Sequence, residues 1–273
     1  SRMWDFYDHD MSKDSLKNFD FRLFSTVKSF SLDETPAYSG EGEVLDVIGG
    51  PTSGKIRSEL DTSELLISEE RYDSLPSKWV ARKYGTKDKK KLVLTFDDGP
   101  DPVYTPQILD ILNREKVPGA FFLVGINAEN NIPLVKRIYN EGHEIGNHTF
   151  THPNIAKVSR KRAVIEMDAT RLLIECITGH STILFRAPYN ADFEPQKAEE
   201  LIPVAIARQK NYLDIGESID PLDWVPGTPA DSIVARVIRR KAEMTSENLS
   251  GNIILLHDAG GDGRAATVEA LPQ

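Results

Sequence analysis

The 273-residue sequence predicts an α/β fold, in which a parallel sheet follows a small β-rich N-terminal segment. Three observations carry this. From Lys91 onward, short apolar runs of strand length alternate with helical patterns, and that alternation means a parallel sheet, open or closed into a barrel. Before about residue 85 there is no sustained helical period, only short β-like runs punctuated by glycine, proline and serine. Finally, the run Leu92-Val93-Leu94-Thr95-Phe96 ends in two adjacent carboxylates, Asp97-Asp98, at a Gly99-Pro100 turn. The ends of parallel strands are where α/β enzymes place their chemistry.

In the N-terminal segment the β-like runs are 43–48, 55–57 and 64–67, divided by Gly49-Gly50-Pro51 and Thr52-Ser53-Gly54. Residues 1–85 are read as a small β module or interdomain segment, and 86–273 as the main domain. Beyond Lys91 the expected strands are 92–96, 119–125, 144–147, 183–186, 204–207 and 253–256. Between them, Thr105–Glu115 places Ile108, Leu109, Ile111 and Leu112 on one helix face, with Pro106 in its first turn. Pro133–Glu141 is patterned similarly. Ser159 is positioned to cap a helix that reaches Ile177 and stops at Gly179, and Asp231 to cap another through Ile238.

Composition excludes several classes of function. Apolar residues make up 40% and charged residues 27%, as in ordinary globular proteins. A net charge of −9, with no cluster of basic and aromatic residues, argues against nucleic-acid binding. The basic run Lys87–Lys91 is interrupted by Asp88 and reads as a solvated linker. No apolar run approaches the roughly 20 residues of a membrane span, and no signal peptide is visible. Cys176, the single cysteine, lies in the apolar run 172–177 and is expected to be a buried free thiol.

Five short motifs carry chemistry. Two carboxylates where a buried strand surfaces are costly unless a cation or hydrogen-bond network offsets them. Asn147-His148-Thr149-Phe150-Thr151-His152-Pro153 follows a strand-like run, so its histidines read as loop residues. Joined to one Asp they give two nitrogens and one oxygen, a ligand set with positions left open. Arg186-Ala187-Pro188-Tyr189 offers a guanidinium for a carboxylate and, at Tyr189, an N–H for an oxyanion. Asp223-Trp224 suits a sugar or acyl wall. Leu255-Leu256-His257 ends an apolar strand in a histidine, before a glycine-rich loop, where it can exchange protons. His9, His143 and His180 lack such partners and read as structural or surface residues.

In this order, the five motifs resemble those of the polysaccharide deacetylases of carbohydrate esterase family four, also called the NodB-homology domain. The resemblance covers roughly residues 90–273. It implies a distorted (β/α) barrel of about seven parallel strands, and hydrolysis of N-acetyl groups from an N-acetylglucosamine polysaccharide such as chitin or peptidoglycan. It also implies roles. Asp97 is the general base, steadied by Arg186. Asp98, His148 and His152 hold a divalent metal, Zn2+ foremost with Co2+ or Ni2+ as alternatives. His257 is the acid, tuned by Asp223. Tyr189 holds the oxyanion, while Trp224 and Leu255 wall the acetyl pocket.

The family usually continues through one more helix and strand past Leu271, so a truncated domain is expected. Met3-Trp4-Asp5-Phe6-Tyr7 resembles the tail of a chitinase-like module, which points to part of a larger carbohydrate-active protein. The expected location is extracellular or at the cell envelope. Three other readings fit some of the motifs. They are a carbohydrate-binding pseudoenzyme, an O-acetyl xylan esterase, and a non-haem iron oxygenase built on two His and one Asp.

Overall fold

The structure, a computed structural model, describes residues 28–32, 35–61, 66–88, 90–190, 195, 197–261 and 264–273. Met3–Tyr7 and His9 lie outside the described residues. The chain divides into two compact units, one holding Pro51–Lys78 with the residues before Glu34, the other Glu34–Gly50 and Trp79–Gln273. In the smaller unit, β1 (Lys28–Phe30), β4 (Gly54–Asp61) and β5 (Leu66–Ser74) form an antiparallel sheet in the order β1-β4-β5.

The larger unit is built on β2 (Ala37–Gly40), β3 (Val44–Gly49), β6 (Val80–Tyr84), β7 (Val93–Asp97), β8 (Ala120–Leu123), β9 (Glu144–Asn147), β10 (Leu184–Phe185), β11 (Leu213–Ile215) and β12 (Ile253–His257). Their order is β12-β7-β8-β9-β10-β11-β3-β6-β2. The pairs from β12 to β11 are all parallel. Four residues after β11, Ile219 forms a parallel bridge to Ile254, so a single-residue bridge stands where a seventh strand is expected. The fold is an α/β sheet of the distorted-barrel kind. The expected boundary at 85/86 falls just after β6, within the larger unit. Strands β2, β3 and β6 extend the large sheet beyond β11, through the antiparallel β11–β3 and β3–β6 pairs.

The helices are α1 (Tyr104–Glu115), α2 (Gly125–Asn130), α3 (Ile132–Asn140), α4 (Arg160–Thr178), α5 (Ala198–Gln209), α6 (Ala230–Ser246) and α7 (Arg264–Ala270). Ser159 caps α4 by accepting from the Arg162 N–H at 3.2 Å, and Gly179 ends it at φ +78°. Two element assignments need correction. Val204–Ala207 is not a strand but part of α5. That helix buries Leu201 and Val204 in one cluster and Ile206 and Ala207 in another, and an apolar run buried on both sides has no readable period. Helix α6 starts at Ala230 with Pro229 as its N-cap, which leaves Asp231 inside the first turn.

Cys176 is exposed, against expectation. It follows buried Ile174 by two residues, about 200° around the helix, which turns it to solvent. His143 is buried and accepts the Gly119 N–H through Nδ1, while His180 sits exposed against Tyr139.

Strand alternation sorts the side chains. Phe96, Phe121, Leu123, Ile145, Ile254 and Leu256 face outward, into one core with α1, α3, α4 and α6. Their neighbours Thr95, Asp97, Phe122, His148, Arg186, Leu255 and His257 share the opposite parity and face inward, so the catalytic motifs converge on the C-terminal ends of the parallel strands.

Candidate active site

Arg186 organises the inner face. It is 1% exposed, and its guanidinium lies over the Phe122 ring, 4.2 Å from the centroid. Nη1 donates to Asp97 Oδ1 and to Thr95 Oγ1, both at 2.8 Å. Nε donates to the Ile215 carbonyl and Nη2 to that of Gly216, both at 2.9 Å. These acceptors use the guanidinium fork from several sides, which a lysine cannot reproduce. Gly146 lacks a side chain because a Cβ there would strike the Phe122 ring.

Asp98 leaves the strand at φ +77°, a left-handed conformation that Asp tolerates. Asn127 Nδ2 holds the Asp98 carbonyl at 2.7 Å. Asp98 Oδ1 lies 3.0 Å from His152 Nε2 and 3.5 Å from His148 Nε2. Burial pushes the Asp98 carboxyl up, but hydrogen bonds to His148 and His152 and the charge of His148 and His257 outweigh it and hold it well below the usual range. His148 Nδ1 sits 2.8 Å from the Arg186 carbonyl, which only accepts, so Nδ1 carries a proton and Nε2 is the nitrogen that faces Asp98. His152 comes from a turn held by buried Glu166, whose carboxylate accepts from the Phe150 and Thr151 N–H groups at 2.8 and 2.7 Å.

Asp98, His148 and His152 are the one group of three or more such residues, among those described, with ligand atoms all within 4.8 Å of one another. Donors about 2.0–2.1 Å from a shared cation stand about 3.0–3.4 Å apart, and the two Asp98–imidazole distances, 3.0 and 3.5 Å, are close to what a small divalent ion needs. At Gly260 a Cβ would meet Asp98 Oδ2, which explains a glycine at φ +83° there.

Across the site, His257 Nδ1 lies 2.7 Å from Asp223 Oδ1, while Asp223 Oδ2 accepts the His257 backbone N–H at 2.9 Å. Burial lowers the His257 pKa, but the hydrogen bond and charge of Asp223, with Asp97 and Asp98 beyond, outweigh it and raise it above 6.5. With Nδ1 committed to Asp223, Nε2 is the nitrogen left for proton exchange.

A cleft of about 670 Å³ is lined by Asp97, Asp98, His148, His152, Tyr189, Trp224, Leu255 and His257, with Asn127, Asn190 and Arg264 among the rest. Arg186 and Asp223 sit behind that surface, bonded to Asp97 and His257. Trp224 is half exposed and its indole N–H donates to Asp220. Tyr189 takes φ +62° beside His152, with ring centroids 4.8 Å apart.

The structure thus gathers all ten sequence-predicted site residues. Sequence reasoning missed Thr95, Asn127, Glu166, Arg264 and Thr267. Of these only Thr95 carried a signal, since it precedes Asp97 by two and therefore shares its strand face.

A two-imidazole, one-carboxylate cluster opposite an Asp–His pair, at the strand ends of an α/β barrel, defines a hydrolase site able to hold a cation. The sequence model for polysaccharide deacetylase matches residues 84–201. The peptidoglycan-N-acetylglucosamine deacetylase of Bacillus cereus is 36% identical over 209 residues, covering 75% of this chain and 70% of that protein. Among solved structures, the Bc1960 peptidoglycan N-acetylglucosamine deacetylase superposes with a TM-score of 0.60 at 36% identity, covering 68% of this chain and 80% of that one. A family 4 acetyl xylan esterase from Clostridium thermocellum, in complex with a cobalt ion, gives 0.54 at 30% identity, over 66% and 79% of the chains. The chain belongs to the polysaccharide deacetylase family.

Proposed function

We propose that the protein hydrolyses N-acetyl groups of an N-acetylglucosamine polysaccharide to acetate and a free amine. The observation that carries this is the placement of a base candidate and an acid candidate side by side, next to one ligand set. Asp97 and His257 are register partners on paired strands, both facing the cleft that holds Asp98, His148 and His152. Similarity to a peptidoglycan-N-acetylglucosamine deacetylase supports the N-acetyl substrate.

Asp98, His148 and His152 would hold the cation, zinc in this proposal, which when bound supplies Lewis acidity toward a carbonyl and lowers the pKa of water. Asp97, fixed by Arg186, takes the proton of the attacking water as the new C–O bond forms. The Tyr189 N–H faces the developing oxyanion, a contribution typically worth about 3 kcal/mol for one donor. His257, held cationic by Asp223, gives its Nε2 proton to the nitrogen as the C–N bond breaks, since an amine leaves poorly unless protonated. Trp224 and Leu255 wall the acetyl methyl. One water is consumed, and amine and acetate are released. An extracellular or cell-envelope setting, within a larger carbohydrate-active protein, belongs to the same proposal.

The test is acetate release from chitooligosaccharides, peptidoglycan and O-acetylated xylan by metal-replete protein. Release from an N-acetylated polymer supports the proposal. Release from xylan alone makes it an O-acetyl esterase, and tight glycan binding without release makes it a pseudoenzyme.

A further inference from the structure

Helix α7 reaches under the Asp–His pair with two side chains, Arg264 and Thr267, spaced i,i+3 on one face. Thr267 is 1% exposed and donates from Oγ1 to Asp223 Oδ2 at 2.8 Å. Arg264, 3% exposed, donates through Nη1 to the Asp223 carbonyl at 3.2 Å and through Nε to the Ala259 carbonyl. The Asp223 carboxylate therefore has a divided set of donors. Among the described residues, Oδ1 pairs with the His257 imidazole, while Oδ2 takes the His257 backbone N–H and the Thr267 hydroxyl. Both His257 contacts come from one residue, and the Thr267 hydroxyl adds a donor from a separate element, which restrains the carboxylate independently of His257. None of these contacts involves Asp98, His148 or His152.

We propose that Thr267 is a positioning residue for the reaction, locking the Asp223 carboxylate so that Oδ1 stays aimed at His257 Nδ1 and the imidazole presents Nε2 to the leaving nitrogen. Arg264 assists by tying the Asp223 loop to the loop after β12. The inference rests on the deacetylase reading. The charged groups that act on His257 are Asp223 from the loop after β11 and Asp97 and Asp98 from the end of β7, while Arg264 from α7 meets the Asp223 carbonyl.

The experiment compares Thr267→Ser, Thr267→Ala and Thr267→Val in metal-replete protein, reading kcat and KM for acetate release, cation content, and the His257 Nδ1 proton resonance. A hydrogen bond to a charged group sets the scale, so Ala and Val should lower kcat about tenfold or more at unchanged KM and cation content. Both should shift or broaden the imidazole resonance. Thr267→Ser lacks the methyl but keeps the donor, and should retain wild-type kcat and resonance even where its melting temperature drops. Wild-type kcat in Ala or Val, or an equal loss in Ser and Ala, overturns the inference. If Val does not fold, the Ser–Ala pair decides alone. A wild-type protein that releases no acetate defeats the deacetylase reading instead, while the resonance comparison still tests the contact.

Discussion

Asp97 and His257 are register partners on the parallel pair β7–β12, so a carboxylate and an imidazole stand side by side at the same level of the sheet. Each is fixed from behind by a different buried residue, Asp97 by Arg186 and His257 by Asp223. In the proposed mechanism, proton acceptance and proton donation would then fall to separate, firmly held groups, which is what pre-organisation requires.

Replacing Arg186 should be costly in stability as well as activity. Arg186→Met leaves Asp97, 3% exposed, without its cation and strands the Thr95, Ile215 and Gly216 acceptors. Breaking a buried ion pair on one side typically costs about 3–5 kcal/mol, which equilibrium denaturation would register. Arg186→Lys should recover only part of it, because an ammonium cannot span four acceptors.

The pH dependence of turnover follows from His257. Its pKa is raised above 6.5, and an acid must be protonated to act, so kcat should fall as pH rises through that raised value. Asp223→Asn removes the principal raising influence and should move this basic limb to lower pH. A limb that stays in place would contradict the assignment of His257 as the acid.

Glu166 predicts an acid-sensitive fold. Burial raises its pKa, but donors from Thr151, Arg162 and Phe150 outweigh this and lower it below 4.5. The stability it contributes is fully present above 4.5, and it is lost as pH falls through the lower, folded value. Thermal melts of Glu166→Gln should be lower than wild type near neutrality, with the gap closing toward acid pH.

Removing the cation should act through three side chains. Chelation should abolish acetate release, a divalent ion should restore it, and His148→Ala and His152→Ala should each lower bound cation, read by elemental analysis.

Much of the site was legible in the sequence because its residues sit at strand ends, where an apolar run of period two hands over to a turn. Asp97, Arg186 and His257 all announce themselves in that way. Position in the sheet was not legible for β11, a three-residue strand, or for α5, whose run of apolar residues is buried on two sides. The boundary at 85 was read from a change in composition, which carries no trace of the pairing of β2, β3 and β6, all earlier in the chain, into the large sheet. Thr267 and Glu166 gave no signal because each meets the site through a partner distant in sequence, Asp223 or the turn before His152.

The central claim is the division of labour between Asp97 and Asp98, and cation content measured beside acetate release tests it most directly. Asp97→Asn should keep its cation while losing about 10²- to 10⁴-fold in turnover, the usual weight of a general base. Asp98→Asn should lose both cation and turnover. An Asp97→Asn protein that sheds its cation, or that turns over at the wild-type rate, would contradict the account.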